Sequence, residues 1–542
     1  MRRTGPAGGS PAGGASSGGR SGGSAPSAGR AGRSSDVAGP SAGAEAGRRD
    51  ARGRERGAAR ADSQGHRSAA APTERRRGTD LARSAAFDVL CAVDGSDSYA
   101  NLVLPPMLRD RGITGRDAAF ATELAYGTLR LRGRYDAIIE LCAARTLDRI
   151  EAEVLELLRL GTHQLLGMRV PAHAAVSETV GLARERTGVG SGQFVNAVLR
   201  SVGREPLETW LEKIGELADP AGTDPVARLA ATQSHPVWVT RALREALVGN
   251  GRSADELEDL LRANNVAPLV TLVARPGLIR TYDLLEETRG AGDRGRWTPT
   301  AVVLSGGDPG AIPAVREGSA GVQDEGSQLV TLALAAAALV GEGDSRWLDM
   351  CAGPGGKAAL LASIAHQRGA RLVANEVLPH RVRLVEHALA SVPAEAIEEI
   401  RTGDGRTIGQ DEPGSYDRVL VDAPCTGLGA LRRRPEARWR RSPSDLSQLG
   451  SLQRALLTSA LAAVRPGGVV AYVTCSPHLA ETQLVVKDVL RKRDDVEILD
   501  ARFAVRTVAG NTISLGERHD IQLWPHVHGT DAMHLTLLRR RP

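Results

Sequence analysis

Lysine is nearly absent from this chain: Lys213, Lys357, Lys487 and Lys492 stand against 65 arginines. Aromatic residues are scarce too, at 3%, which limits any nucleic-acid surface built on base stacking. The five cysteines, Cys91, Cys142, Cys351, Cys425 and Cys475, are too few and too scattered for a disulfide framework. None forms a C-x-x-C pair, so no metal site is expected. Free thiols fit a reducing, cytoplasmic setting. The longest apolar stretch, 329–340, spans 12 residues and falls short of the roughly 20 that a membrane helix needs. The first residues lack the apolar core of a secretion signal. No membrane partner is expected.

What is present divides unevenly along the 542 residues, enough for about two to four domains. Residues 1–80 hold 15 Arg against 7 Asp and Glu, whereas the remainder holds 54 basic against 57 acidic residues. The basic balance therefore belongs to the first segment. That segment is Gly, Ser, Ala, Pro and Arg with almost no large apolar side chains. It cannot bury enough surface to offset its ordering entropy and is expected to be disordered. It reads either as a solvated start or as a loose, salt-sensitive contact for polyanionic RNA.

From Leu81 onward, apolar residues recur at helical spacing. Phe87, Leu90, Cys91 and Val93 do so first, then Val154, Leu157, Leu158, Leu165 and Met168, with breaks at 95–97, Gly112 and 188–192. This predicts an all-α bundle over 81–214. Residues 215–305 read as a linker plus a small α+β subdomain around 269–274, and 306–542 as alternating strands and helices. Strands are expected at 346–350, 371–375, 418–422, 469–473 and 534–538, and helices near 355–366, 379–391, 445–464 and 480–491. Such alternation gives an open, mostly parallel, Rossmann-like α/β sheet with helices on both faces. Ligands of such sheets sit beyond the carboxyl ends of the strands.

The first strand-to-helix corner reads Trp347-Leu348-Asp349-Met350-Cys351-Ala352-Gly353-Pro354-Gly355-Gly356-Lys357. Its glycines let the backbone approach a ligand where a Cβ would collide, and the following helix offers unpaired N–H groups. It is not a phosphate-binding P-loop, because Cys351 holds the place of that motif's first glycine and Ala358 that of its hydroxyl residue; the dinucleotide fingerprint is broken as well. The second strand leads to Glu376, about twenty residues on, where an acid can accept from both ribose hydroxyls of an adenosine moiety. Asp404 falls where a third strand should end, within reach of an adenine amino group. The fourth strand ends in Val421-Asp422-Ala423-Pro424-Cys425, and a later one in Thr474-Cys475-Ser476. Free cysteine is more often buried packing. Two thiols at neighbouring strand ends beside a nucleotide corner read as chemistry.

The 351–357 loop, Asp422-Ala423-Pro424-Cys425 and Thr474-Cys475-Ser476 together resemble the Nop/Sun family of S-adenosylmethionine-dependent RNA (cytosine-5)-methyltransferases. Ahead of them, Glu123-Leu124-Ala125-Tyr126-Gly127-Thr128-Leu129-Arg130, Leu158-Arg159-Leu160-Gly161-Thr162-His163-Gln164-Leu165 and Phe194-Val195-Asn196-Ala197-Val198-Leu199-Arg200 resemble the NusB-type helical RNA-binding domain. The combination resembles the bacterial 16S rRNA branch of the family, the Sun/Fmu (RsmB) type, over about residues 81–542. It departs from the family pattern where Gly353 replaces a usual alanine, Ala358 a common threonine and Glu376 a common aspartate.

The resemblance implies that Cys351, Ala352, Gly353, Pro354, Gly355, Gly356 and Lys357 wrap the methionine and ribose parts of S-adenosylmethionine. It puts Glu376 on the ribose, Asp404 near the adenine and Asp422 between cofactor and target base. Cys475 is implied as the nucleophile and Cys425 as the helper in product release. The chemistry accounts for these residue types. Carbon 5 of cytosine is too electron-poor to take a methyl group directly, and thiolate addition at carbon 6 makes it an enamine-like nucleophile. A thiolate both attacks and leaves readily. DNA enzymes use a Pro-Cys like Pro424-Cys425, whereas the RNA enzymes use the Thr-Cys position, so Cys475 favours RNA.

Six arginines, Arg432, Arg433, Arg434, Arg438, Arg440 and Arg441, follow the fourth-strand motif within ten residues. They read as a loop gripping RNA backbone near the target, or else as a solvated helix face. The base must leave its stack, so looped or opened RNA is expected. The expected partner is RNA, 16S rRNA first, acted on by a monomer without a metal. The alternatives are a cytosine-5-methyltransferase of tRNA or another rRNA site and, in a different class, a non-catalytic RNA-binding assembly factor. A scaffold would need neither thiol.

Overall fold

Apolar residues three and four positions apart draw the first part of the chain into helices that share one core. The computed structural model describes residues 80–96 and 98–542; the expectations for 1–80 fall outside them, save at Asp80. Asp80 starts the first helix by accepting from Arg83 N at 2.9 Å, a cap worth about 1 kcal/mol. The bundle comprises Leu81–Gly95, Ala100–Asp110, Gly115–Arg130, Arg132–Ala143, Ala152–Leu166, Ala172–Arg186, Val189–Val202 and Leu207–Ala218. Phe87, Leu90, Leu124, Tyr135, Leu157, Leu158 and Leu199 are buried together at its centre. The break expected at 188–192 shrinks to Gly188, at φ +99°. Gly190 and Gly192 lie inside the next helix.

The linker expected within 215–305 is also corrected, because three more helices occupy it: Pro225–Thr232, Val237–Gly249 and Leu257–Asn264. Val239, Leu243, Leu247, Leu257, Leu260 and Leu261 keep helical spacing and share a core with Leu428, Leu431, Ala437 and Trp524 of the C-terminal domain. Pro220, Pro225 and Pro236 interrupt that pattern in the sequence and hide it. An antiparallel sheet follows, in spatial order Gly292–Arg294, Ala301–Leu304, Val270–Ala274, Ala320–Val322. Its last strand lies beyond residue 305, so the sheet crosses the boundary expected at 306.

The large sheet contains β1 (Arg346–Asp349), β2 (Arg371–Glu376), β3 (Ile397–Thr402), β4 (Tyr416–Asp422), β5 (Val464–Thr474), β6 (Val496–Leu499) and β7 (His534–Arg540). Their spatial order is 3-2-1-4-5-7-6, with β7 antiparallel to both neighbours and the pairs from β3 to β5 parallel. All five strands expected from the sequence are present. The pattern does not mark β6, and it locates β3 only by its end. Both are edge strands, half wet, and read Val-Glu-Ile-Leu and Ile-Glu-Glu-Ile-Arg-Thr with no apolar run. Alternation sorts the central strands onto two faces. Trp347, Leu372, Leu420, Ala471 and Val473 face one helical layer. Leu348, Val373, Val419, Val421 and Tyr472 face the other. Strand order reverses between β1 and β4, which opens a crevice beyond their carboxyl ends. Among the described residues, no helix is long and apolar enough to cross a membrane, and no group of three or more His, Cys, Asp and Glu could hold a metal ion.

Candidate active site

Parallel pairing sets four chain reversals side by side: β1 ends at Asp349, β2 at Glu376, β4 at Asp422 and β5 at Thr474. The β1 corner is tied to β2 by Ala352 N donating to Asn375 O (2.8 Å) and turned by Gly355 N donating to Ala352 O (2.8 Å). Gly355 is obligatory, and a side chain at Gly353 would require the Glu376 carboxylate to move. A Cβ on Gly353 would meet Glu376 Oε2 at 2.3 Å, and one on Gly355, itself at φ +109°, would meet Ala388 Cβ at 2.5 Å. Gly353 N donates to Glu376 Oε2 (3.1 Å), and Arg381 Nη1 pairs with the same oxygen (3.2 Å). The segment carrying Asp404 also reaches β2, since Gly403 N donates to Glu376 O (3.2 Å). The Asp404 carboxylate itself turns to Arg406, at 2.9 Å from its Nε.

Asp349 stands in the motif but escapes a reading based on glycines. Its side chain is buried, Oδ1 accepts from Cys351 N (3.3 Å), and Oδ2 has no hydrogen-bond partner among the described residues. Burial, with the Asp422 charge adding, pushes its carboxyl up to about 7. Burial and the charges of Asp349, Asp422 and Glu376 push the Cys351 thiol well above the ordinary range. Cys351 is a poor nucleophile.

The thiols of β4 and β5 meet: Cys425 Sγ and Cys475 Sγ are 3.4 Å apart. Lys357, from the first turn of the helix after the corner, reaches Asp422 Oδ2 at 2.8 Å. Burial alone would lower the Lys357 ammonium, but Asp422 outweighs it and raises it. The hydrogen bond from Cys425 lowers Cys475, and Lys357 and Arg434 add to this against burial and Asp422. The same hydrogen bond, then burial, drives Cys425 well up. The two thiols are thus pushed in opposite directions, as befits a pair that shares one hydrogen bond.

A buried carboxylate absent from the expected set holds this geometry. Glu481, 0% exposed, accepts from Thr426 N through Oε1 (2.7 Å) and from the Thr426 hydroxyl through Oε2. Gln453 Nε2 donates to Pro424 O (2.8 Å) and to Glu481 Oε1 (3.3 Å). On the other side, Gly429 N donates to Cys475 O (2.8 Å). Glu481 has no local signal, because it sits in an ordinary Leu-Ala-Glu-Thr stretch.

The arginine segment needs correction as a uniform RNA grip. Arg438 is 0% exposed and donates to Ser234 O (3.0 Å) and Asn265 Oδ1 (2.8 Å). Arg440 Nη2 donates to Val93 O and Ser98 O, both at 2.6 Å. Arg432 is buried, donates to Gly529 O (2.9 Å) and lies 3.8 Å from Asp324 and Asp531. These three join the helical bundle and neighbouring loops to the large sheet. Arg433, paired with the buried Asp531, is still 41% exposed, and Arg434 and Arg441 are half-buried.

Comparison with known proteins identifies the family. Residues 336–539 match the family model of the 16S rRNA methyltransferase RsmB/F, and residues 80–204 match that of the NusB family. A Mycobacterium tuberculosis (strain H37Rv) protein with a provisional methyltransferase name is 52% identical over 466 residues, covering 86% of this chain and 98% of its own. Ribosomal RNA small subunit methyltransferase B of Escherichia coli O6:K15:H31 is 30% identical over 432 residues, covering 78% of this chain and 92% of its own. The crystal structure of PH0851, 19% identical, shares the fold with a TM-score of 0.69 over 85% of this chain and 99% of its own. The chain belongs to the RsmB/F family of 16S rRNA methyltransferases, with a NusB-family helical domain in front of its methyltransferase domain.

Proposed function

We propose that this protein methylates carbon 5 of a cytosine in RNA, 16S rRNA first among candidates, through a covalent adduct between Cys475 and carbon 6. The observation that carries the reading is the thiol pair, 3.4 Å apart at the ends of β4 and β5, next to the Lys357–Asp422 ion pair. The β1 and β2 ends fit S-adenosylmethionine. Asp349 offers a buried acceptor with an unused oxygen, Glu376 a second carboxylate, and the glycine corner an approach free of side chains. Residues 351–357, Glu376 and Asp422 would hold that cofactor, and Asp404 would lie at its adenine end. When bound, it supplies the methyl group as a sulfonium electrophile.

The residues divide the remaining work. Cys475 adds to carbon 6 as thiolate, and the ring electrons released make carbon 5 nucleophilic. Asp422, 26% exposed, accepts from N3 of the base once that nitrogen carries a proton, and so favours that addition. Carbon 5, once methylated, gives its proton to water, the freed electron pair restores the carbon 5–carbon 6 double bond as the bond to Cys475 breaks, and the Cys425 thiol stabilises the departing thiolate by donating a hydrogen bond. Arg433 and Arg441 are the arginines left to meet RNA phosphates, since Arg434 lies against the Tyr99 ring. This work belongs in the cytoplasm, with RNA as the partner.

Cys425→Ala protein should turn over about 100-fold more slowly or worse and accumulate a protein–RNA adduct visible on a denaturing gel. Failure of the adduct to appear removes the release role from Cys425. The reading as a whole is tested by bisulfite sequencing of total RNA from cells with and without the gene. A cytosine protected only when the gene is present supports it, and the lack of any gene-dependent cytosine overturns it.

A further inference from the structure

The corner between helices Leu81–Gly95 and Ala100–Asp110 of the helical domain is held by the catalytic domain on both flanks. Arg440 Nη2 donates to Ser96 O (3.1 Å) and Ser98 O (2.6 Å), and Glu436 Oε1 accepts from Ala100 N (2.9 Å). Tyr99 lies between those anchors. Its ring centroid is 5.0 Å from the Arg440 guanidinium carbon and 5.3 Å from that of Arg434. The Arg434 main chain belongs to the turn beside the reacting thiol: Arg434 N donates to Ala430 O (2.9 Å), and Gly429 N donates to Cys475 O (2.8 Å).

We infer that Tyr99 is a positioning residue of the active site, its ring fixing the Arg434 guanidinium on the turn that is hydrogen-bonded to Cys475 O, so that the helical domain furnishes part of the thiolate's electrostatic surroundings. The inference rests on Cys475 being the attacking thiol. An arginine side chain has many rotamers, and confining it is entropically costly. An aromatic face supplies a directional partner for the planar cation without neutralising it, as a carboxylate would. Arg433, the preceding residue, is instead paired with Asp531. The charged and titratable groups acting on Cys475 include Cys425, Asp422, Lys357, Arg433 and Arg434, with Glu481 acting on Cys425 behind it, and the Arg434 charge acts to lower the thiol. Without the ring, Arg434 can swing to solvent, where salt screens it from the sulfur.

The test uses full-length Tyr99→Leu, Tyr99→Phe and Arg434→Gln proteins. Two readouts are taken: the pH dependence of Cys475 alkylation by iodoacetamide, read on its own peptide by mass spectrometry, and turnover of an rRNA transcript. In Tyr99→Leu the alkylation midpoint should move to higher pH, with kcat down about three- to thirtyfold and KM for RNA little changed. Tyr99→Phe, which keeps the ring face, should behave as wild type. Arg434→Gln should reproduce the Leu variant, and combining the two should add nothing further. A wild-type alkylation profile in Tyr99→Leu, equal impairment in Tyr99→Phe, or additive losses in the double variant would overturn the inference. Arg434→Gln leaves the ring in place and carries the test if Tyr99→Leu does not fold. Alkylation reads the thiol without turnover, so these outcomes are distinct from an active Cys475→Ala protein, which would instead overturn the proposed reaction.

Discussion

Cys475→Ala protein is expected to lose methyl transfer to an rRNA transcript by about 10,000-fold or more. Its near neighbour cannot take over. Cys425 is well above the ordinary thiol range and is protonated at neutral pH, and Glu481 and Gln453 hold its loop in place through Thr426 and Pro424. Cys351 is disqualified by the same physics, with three carboxylates around a buried thiol. Wild-type activity should rise with pH as Cys475 ionises, below the ordinary thiol value of 9.0. Transfer of labelled methyl to RNA gives the rates, and the alanine protein should melt as wild type does. Residual transfer within tenfold of wild type would reassign the nucleophile.

Arg438→Met should destabilise the protein by about 3 kcal/mol. The substitution keeps an extended side chain but removes donors to Arg130 O (3.3 Å), Ser234 O (3.0 Å), Asn265 Oδ1 (2.8 Å), Asn264 O (3.3 Å) and Leu431 O (3.5 Å). Each stranded buried acceptor costs about 1–3 kcal/mol, and relief of the buried cation offsets part of the sum. That relief is real, because burial and the nearby Arg130 pull the Arg438 guanidinium down to about 9. Arg438→Lys should not rescue, since one ammonium cannot serve acceptors spread along a planar fork. Urea unfolding followed by tryptophan fluorescence measures the loss. An unchanged midpoint would mean that water replaces the guanidinium.

The contrast between these two sites shows what a chain discloses before it folds. Asp422, Cys425 and Cys475 are legible because the chemistry sits at strand ends, and strands announce themselves by short apolar runs closed by a turn. The glycine corner is legible because Gly355, at φ +109°, answers a local steric demand. The arginines are legible as charge but not as contact. Glu436 meets Ala100, and Arg440 meets Val93, across more than 300 positions that no local pattern spans. Glu481 is hidden for the same reason. Asp349 is a different omission: it was adjacent to the corner, and only its burial distinguishes it from a solvated strand-end acid. The helices of 225–264 are obscured by prolines that fall between them rather than within their cores.

The segment from Arg432 to Arg441 has a meaning for ancestry and engineering. Two domains joined by a tether can be exchanged like beads, but here the catalytic side has grown a tongue into the helical side. Trp439 occupies the space that a Cβ on Gly133 would need, with its ring carbon 2.3 Å from that position. Arg440 closes the carbonyl end of the first helix, and Arg438 reads three separate stretches of main chain. A foreign helical domain transplanted in front of this catalytic half would have to bring a glycine opposite that tryptophan, a tyrosine between two arginines and a main-chain amide for Glu436. The two halves are heritable only as a matched set.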